Sequence, residues 1–441
     1  MPTTLAEVLR HFEPEFLRSH TLSTAQARAW RAIVSCRTPA LGGELMQCGS
    51  CGVQQWHWHS CRNRHCPQCQ SRQRDAWRAA RLAELLNVPY CHLVFTLPHE
   101  LNPLAAMHPH WVYDTLMQCT AATLSEFAAN PRWLGGTGAF TLVLHTWTQD
   151  LRRHVHVHAL MACGALRRDD DGGAVGAAGG DGDGGGRAQS SDGDAGGRQD
   201  QRDGAGAGRA EQCIWVKPTR NERFLFPVHA LSKVFRGKFL DALDAAKLAE
   251  DPADTPQRKT ERATALRRHD WVVYAKTALA GPAAVLDYLS RYTHRTAIGN
   301  ERLVAIRGDQ VSFRVRADDS GGKRCIALPG AQFIERLLLH VLPSGFKRIR
   351  HFGLLAPALK TKRLALARRL LEMPAASPQA REDAQAFMHR VAAIDIGCCP
   401  HCKTGRWVVI ACALPQRSAV TEVTDVVVSG PLPAVACRGP P

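Results

Sequence analysis

The 441-residue chain has no stretch approaching the roughly 18 uninterrupted apolar residues of a membrane span. No secretory leader is expected either, since the opening MPTTLAEVLRHFEPEF carries charge throughout. Acid is scarce: 40 Asp and Glu stand against 56 Lys and Arg, a net charge of +16. That balance excludes an acidic tail protein and points to a polyanion as partner, nucleic acid before membrane surface. Tyrosine is scarce as well, at five residues. Between 167 and 210 bulky apolar side chains are almost missing; Val175 is the single one, among 15 of the 36 glycines. Such a segment cannot offset its ordering entropy by burial and is expected to be a flexible insertion. These absences lead to the expectation of a soluble, cytoplasmic protein with no membrane partner.

What is present is 45% hydrophobic residues, enough for a substantial core, and 16 cysteines. With no secretory leader expected, several of those thiols are expected to bind metal rather than pair. The length suggests two or three domains. We divide the chain into 1–86, 87–300 and 301–441. The first opens with Leu5, Val8, Leu9, Phe12 and Phe16 at helical spacing, followed by a second helix that Ser23 or Thr24 can cap. In the second, strands are expected over 90–97, 139–147, 154–163, 213–217 and 271–276. Helices are expected over 110–127 and 226–248, and from Pro282 through Arg295. The third begins with a hairpin around Gly308-Asp309, continues with a helix over 333–342 and a basic stretch, and ends in a tail expected to be disordered.

Four groups of residues, and a fifth near the C-terminus, carry chemistry. Cys48-x-x-Cys51 and Cys66-x-x-Cys69 are two knuckles whose four thiolates can complete one tetrahedral zinc shell, with Cys61 and His65 as alternate ligands. Arg62 and Arg64 belong to a basic run around the second knuckle that suits phosphate. In His154-Val155-His156-Val157-His158, alternate residues of a strand share a face. The imidazoles would point one way, where they can share a divalent ion, and the valines into the core. Tyr288 and Tyr292 are one helical turn apart, with Arg291 and Arg295 beside them. Phenol is a weak nucleophile at its usual pKa of about 10 and gains from a metal-polarised phosphate. From Arg336 to Leu371 there are nine Lys or Arg and no acid, including Lys347, Arg348 and Arg350, a candidate DNA surface. Cys399-Pro400-His401-Cys402 is half of a further zinc site, for which Cys398, Cys412 or Cys437 are possible completions.

Taken in order, these segments resemble the transposases of the insertion sequence 91 family, which are HUH (His-hydrophobic-His) rolling-circle enzymes. The resemblance rests on Ser35-Cys36-Arg37-Thr38 and Leu41-Gly42-Gly43, on the signature Ser60 to Cys69, and on Val94-Phe95-Thr96-Leu97-Pro98-His99-Glu100-Leu101. It continues through Leu144-His145-Thr146-Trp147, Phe235-Arg236-Gly237-Lys238-Phe239, Tyr288 to Asn300 and Leu342 to Leu355. It covers most of the chain outside 167–210 and about the last 35 residues. Val155 stands where the family usually has proline, and its Gly-rich turn is reduced to Cys163-Gly164-Ala165, where the insertion begins.

The resemblance implies an α+β protein: a ferredoxin-like antiparallel sheet with helices on one side, preceded by a small helical zinc-binding domain. It implies that His156 and His158 hold Mg2+ or Mn2+, with a third ligand for which His154 is a candidate, and that Tyr288 and Tyr292 are the nucleophiles. The expected activity is nicking and transfer of single-stranded or hairpin element-end DNA through a 5′-phosphotyrosine intermediate. The alternatives are a replication initiator or relaxase with the same chemistry, and a non-catalytic zinc-containing DNA-binding regulator.

Overall fold

The computed structural model describes residues 3–82, 84–168, 213–218, 225–249, 254–279, 296–317, 322–375 and 382–416. Both helices expected at the start form, the second with Ser23 as its cap. Helix α1 (Leu5–Ser19) is closed at its N-terminus by a capping box of Thr4 and Glu7, and α2 (Thr24–Ser35) by one of Ser23 and Gln26. Two short strands follow, β1 (Gly43–Cys48) and β2 (Gln54–Trp58), then the basic helix α3 (Gln70–Leu82).

The middle of the chain begins with β3 (Tyr90–Thr96), which Pro98 follows closely. Helices α4 (Asn102–Met107) and α5 (Pro109–Ala129) lead to β4 (Thr137–Trp147) and β5 (Arg153–Arg168). After β6 (Cys213–Val216) come α6 (Val228–Ala245), α7 (Pro256–Arg268) and β7 (Val273–Leu279). The strands lie in the order β4-β5-β3-β7, every pairing antiparallel. With α5 and α6 as the connections this is the ferredoxin-like βαββαβ arrangement, so the chain is α+β as its resemblance implied.

Period-two alternation explains the two faces of this sheet. On one face Leu93, Phe95, Leu142, Leu144, Val155, Val157, Ala159 and Met161 are buried beneath α5 and α6, against Phe235 and Phe239 among others. The inward valines are therefore as expected. On the other face, Tyr90, Val143, Leu160 and Ala162 pack beneath Leu85, Leu86, Leu354 and Leu364. The remainder of that face carries histidines. The reduced turn expected at Cys163-Gly164-Ala165 is not a turn: β5 continues through it to Arg168 and pairs with β6, Arg168 opposite Cys213. Arg167 and Arg168 thus belong to the sheet, and the rest of the expected insertion, 169–210, lies outside the described residues. So does the chain beyond 416, where the tail was expected.

The C-terminal part starts with β8 (Leu303–Arg307) and β9 (Gln310–Arg316), turning at Gly308 as anticipated, and adds β10 (Lys323–Pro329) and α8 (Gly330–Leu338). These do not form a core alone. Val311, Phe313, Phe333 and Ile334 are buried with Leu9, Phe12, Phe16 and Trp30 of the first two helices. Strand β11 (Ile349–Gly353) then joins the β4 edge of the central sheet. Gly353 makes that possible: its φ is +62°, and a Cβ there would lie 1.8 Å from the carbonyl oxygen of Gly138. Helix α9 (Lys360–Leu370) covers the sheet, α10 (Ala384–Ala392) follows, and β12 (Trp407–Ala413) returns to pair with β1. No helix among the described residues is long and apolar enough to cross a membrane.

Candidate metal centres and nucleic-acid interface

The structure does not bring Cys48, Cys51, Cys66 and Cys69 into one shell. The β1–β2 hairpin carries the first knuckle at its tip, away from the second, which leads into α3. The second knuckle is joined by Cys61, one of the expected alternates, and by Cys36 at the C-terminal end of α2. Its sulfurs approach closely, Cys36 to Cys69 at 3.4 Å and Cys61 to Cys69 at 3.6 Å. A tetrahedral zinc site with zinc–sulfur bonds of about 2.3 Å sets sulfurs about 3.8 Å apart, so the four fit zinc with slight expansion. The first knuckle is joined instead by Cys399 and Cys402, the C-terminal half site. His65 belongs to neither group: it is held down to about pH 3 in its titration by burial, with Arg64, Arg348 and His340 adding to the effect. Cys36 went unrecognised as a ligand because nothing near it in sequence repeats the knuckle pattern.

His156 and His158 lie on the sheet face opposite α5 and α6. The ligand atom that joins them comes from His145 on β4, which pairs with His156 in register. His145 and His158 are buried, with rings 4.5 Å apart between centroids. Nδ1 of His156 lies 3.0 Å from the His154 carbonyl oxygen, which can only accept; Nδ1 therefore carries the proton, and the Nε2 lone pair turns to Nε2 of His158, 3.2 Å away. On its far side, His158 meets Nε2 of buried His92 at 2.9 Å. Burial lowers the pKa of His156 to about 4, and that of His158 further, with His145, His156 and His92 adding to burial. Neutral imidazoles with converging lone pairs could hold a cation. His154, the earlier candidate, is exposed and outside this group. Its neighbours' alternation was legible; the contribution of His145 needed the register between two strands.

Several arginines expected on DNA are engaged inside the protein. Arg64 donates to the carbonyls of Phe346, at 2.7 Å, and Pro343, at 3.3 Å. Burial lowers the pKa of Arg348 to about 10, and Arg64 contributes. Arg350 pairs with Asp114 and stacks over Phe346 at 5.1 Å. Arg62 and Lys347 are exposed. Tyr288, Tyr292, Arg291 and Arg295 lie outside the described residues.

Residues 8–97 match the family model described as "Transposase zinc-binding domain", and residues 138–177 and 205–363 match that described as "Putative transposase". The chain is 37% identical over 419 residues to "Putative transposase y4qJ" of Sinorhizobium fredii (strain NBRC 101917 / NGR234), covering 92% of this chain and 94% of the relative. It is 25% identical over 334 residues to "Transposase for insertion sequence element IS801" of Pseudomonas savastanoi pv. phaseolicola, covering 74% and 68% respectively. No solved structure matches significantly. Zinc-binding cysteines at the N-terminus and an antiparallel α+β unit therefore define a transposase, a protein that acts on DNA. The chain belongs to the insertion sequence 91 family.

Proposed function

We propose that this transposase cuts and rejoins one DNA strand at the ends of its element, in single-stranded or hairpin form, with Tyr288 and Tyr292 as nucleophiles. The observation that carries the reading is the convergence of His145, His156 and His158 on the sheet face opposite α5 and α6. These three would hold Mn2+ or Mg2+, the nitrogen donor set favouring Mn2+ of the two. A bound divalent ion supplies Lewis-acid polarisation of the scissile phosphate.

The chain leaves β7 at Leu279 and is described again from Thr296, with both tyrosines between these points. Strand β7 pairs with β3, which pairs with the histidine strand, so the segment follows a strand of the same sheet. Among the described tyrosines, Tyr90 and Tyr113 are buried, and burial raises both phenol pKa values, which suits neither to attack. In the reaction one phenol loses its proton and its oxygen bonds to phosphorus. The bond from phosphorus to the 3′ oxygen breaks, and that oxygen leaves as a 3′ hydroxyl. The second tyrosine repeats the step on the other strand, so cleavage and joining alternate without an external energy source. Residues 1–86, 87–300 and 301–441 would then act as zinc-bearing DNA contact, catalytic unit and basic C-terminal part, in the cytoplasm.

The test is incubation of the protein with labelled single-stranded end DNA and Mn2+, followed by denaturing electrophoresis. A covalent protein–DNA band is expected. If that band persists when Tyr288→Phe and Tyr292→Phe are combined, the tyrosine assignment is wrong.

A further inference from the structure

The first knuckle acquires its partners from 348 residues away, where Cys399 sits opposite Cys51. Sγ of Cys48 lies 3.7 Å from that of Cys402, and Sγ of Cys51 lies 3.8 Å from that of Cys399. A disulfide needs about 2.05 Å between sulfurs. The observed separations instead match the edge of a zinc–thiolate tetrahedron, about 3.8 Å. The two knuckles also share one backbone plan. The Cys48 amide donates to the Val53 carbonyl and the Gly52 amide to that of Cys48; likewise the Cys399 amide donates to Gly405 and the Lys403 amide to Cys399. Each turn aims an amide at a leading or closing sulfur: Cys51 N–H at Cys48 Sγ, 3.5 Å, and Gly405 N–H at Cys402 Sγ, 3.3 Å. Gly405 has no freedom to be another residue, because a Cβ there would lie 2.2 Å from Cys48 Sγ. The backbone has closed around the four sulfurs.

We propose that Cys48, Cys51, Cys399 and Cys402 hold a second zinc ion, distinct from that at Cys36, Cys61, Cys66 and Cys69, and that this ion clasps the C-terminal segment 382–416 to the N-terminal zinc-binding region. The clasped parts form the three-stranded sheet β12-β1-β2, paired from Gly43 opposite Ala413 to Cys48 opposite Trp407 with one register shift between Leu45 and Met46. That sheet has almost no core to hold it. Trp56, Val408, Val409 and Ile410 are exposed, and of its strand residues only Gly43 and Cys48 are buried. A small sheet of this kind needs a metal or another staple to persist. Arg390 of α10 adds a second tie by pairing with Asp75 of α3 as well as with Glu382, while Arg72 donates to the Glu382 carbonyl at 3.0 Å. These exposed ion pairs contribute little alone, which leaves the metal as the principal bond between the two ends. Cys399 and Cys402 lie beyond residue 363, where the transposase family model stops matching, and outside 8–97. The clasp therefore extends the zinc-binding region with a segment that neither match contains.

The test counts metal in the full-length protein purified with reductant. Elemental analysis of the wild-type chain should give two zinc ions per chain, and Cys399→Ser with Cys402→Ser should give one. Hydrogen exchange should then show the β12 amides, protected in the wild type, exchanging rapidly in the variant, while α5 and β5 remain protected. Because a variant can fail to fold, the wild-type protein is also reconstituted with Co2+, for which the thiolate charge-transfer and d–d bands of tetrathiolate coordination should titrate to two equivalents. One zinc per wild-type chain, two retained in the variant, or saturation of the tetrathiolate bands at one Co2+ would each overturn the proposal.

Discussion

Nδ1 of His158 lies 2.9 Å from Nε2 of His92 on the neighbouring strand β3. For His158 to offer Nε2 to a cation, its Nδ1 must carry the proton and donate it to His92. His92 thus selects the tautomer rather than touching the reacting atoms. Replacing it by phenylalanine keeps the buried volume and removes the acceptor. His92→Phe is expected to weaken Mn2+ binding by about 10–100-fold, measured by calorimetric titration, with the thermal midpoint little changed. An unaltered affinity would show that His92 only packs.

The third imidazole can be assigned by the same titration. His145→Ala should weaken Mn2+ binding at least as much as the loss of a supporting hydrogen-bond partner does, about 10–100-fold, and in step with His156→Ala. His154→Ala should leave it near the wild-type value. The reverse ranking would return His154 to the site.

Tyr274 supplies a control for the nucleophile. It is exposed on β7 and shares Val94 of β3 as register partner with His158, so both side chains project from the same sheet face. Tyr274→Phe is expected to form the covalent DNA adduct at a rate close to wild type, whereas Tyr288→Phe with Tyr292→Phe abolishes it. Loss of the adduct in Tyr274→Phe alone would move the chemistry onto β7.

The basic residues should separate into two kinds. Arg62 and Lys347 are exposed, and each substitution by alanine should lower the salt dependence of single-strand affinity by about one unit of log–log slope. Arg64 and Arg350 hold the 343–350 segment through carbonyl contacts and the Asp114 pair. Their alanine variants should lose roughly 1–3 kcal/mol of stability in denaturant titrations. A stable Arg64→Ala with a reduced salt slope would reassign that side chain to DNA.

Acid sensitivity is expected from His340. Its Nε2–H donates to the Leu151 carbonyl at 2.9 Å, and Nδ1 accepts from Thr146 at 3.2 Å. Burial lowers its pKa from 6.5 to about 4, with Arg153 assisting and the Leu151 carbonyl opposing. In this range the unfolded chain binds a proton that the folded chain refuses. The contribution is thus whole above 6.5 and is lost as pH falls toward 4. In full it amounts to on the order of 3 kcal/mol. Stability profiles of wild type and His340→Gln should differ in slope across that window and run parallel above it.

Much of the local structure was readable along the chain. The helix cap at Ser23, the turn at Gly308 and the alternation of Val155 and Val157 with His156 and His158 are local rules, and local rules act between near neighbours. The reduced turn at Cys163 was misread because β5 runs on to pair with β6, a pairing with no signature in composition. The basic motif was read as one surface, yet Arg348 is half-buried and Arg350 pairs with Asp114, since charge in sequence does not reveal which cations are engaged within the fold.

By itself, then, the sequence determined the class of protein, the number of zinc knuckles and the strand that carries two of the three converging histidines. The tertiary structure decided which groups complete each set. His145 reaches His156 through strand register, Cys36 reaches Cys69 at the end of a helix, and Cys399 reaches Cys51 across the whole chain. A ligand shell is a condition on distances of a few ångströms between side chains, and spacing along a chain constrains those distances only within a turn or a knuckle.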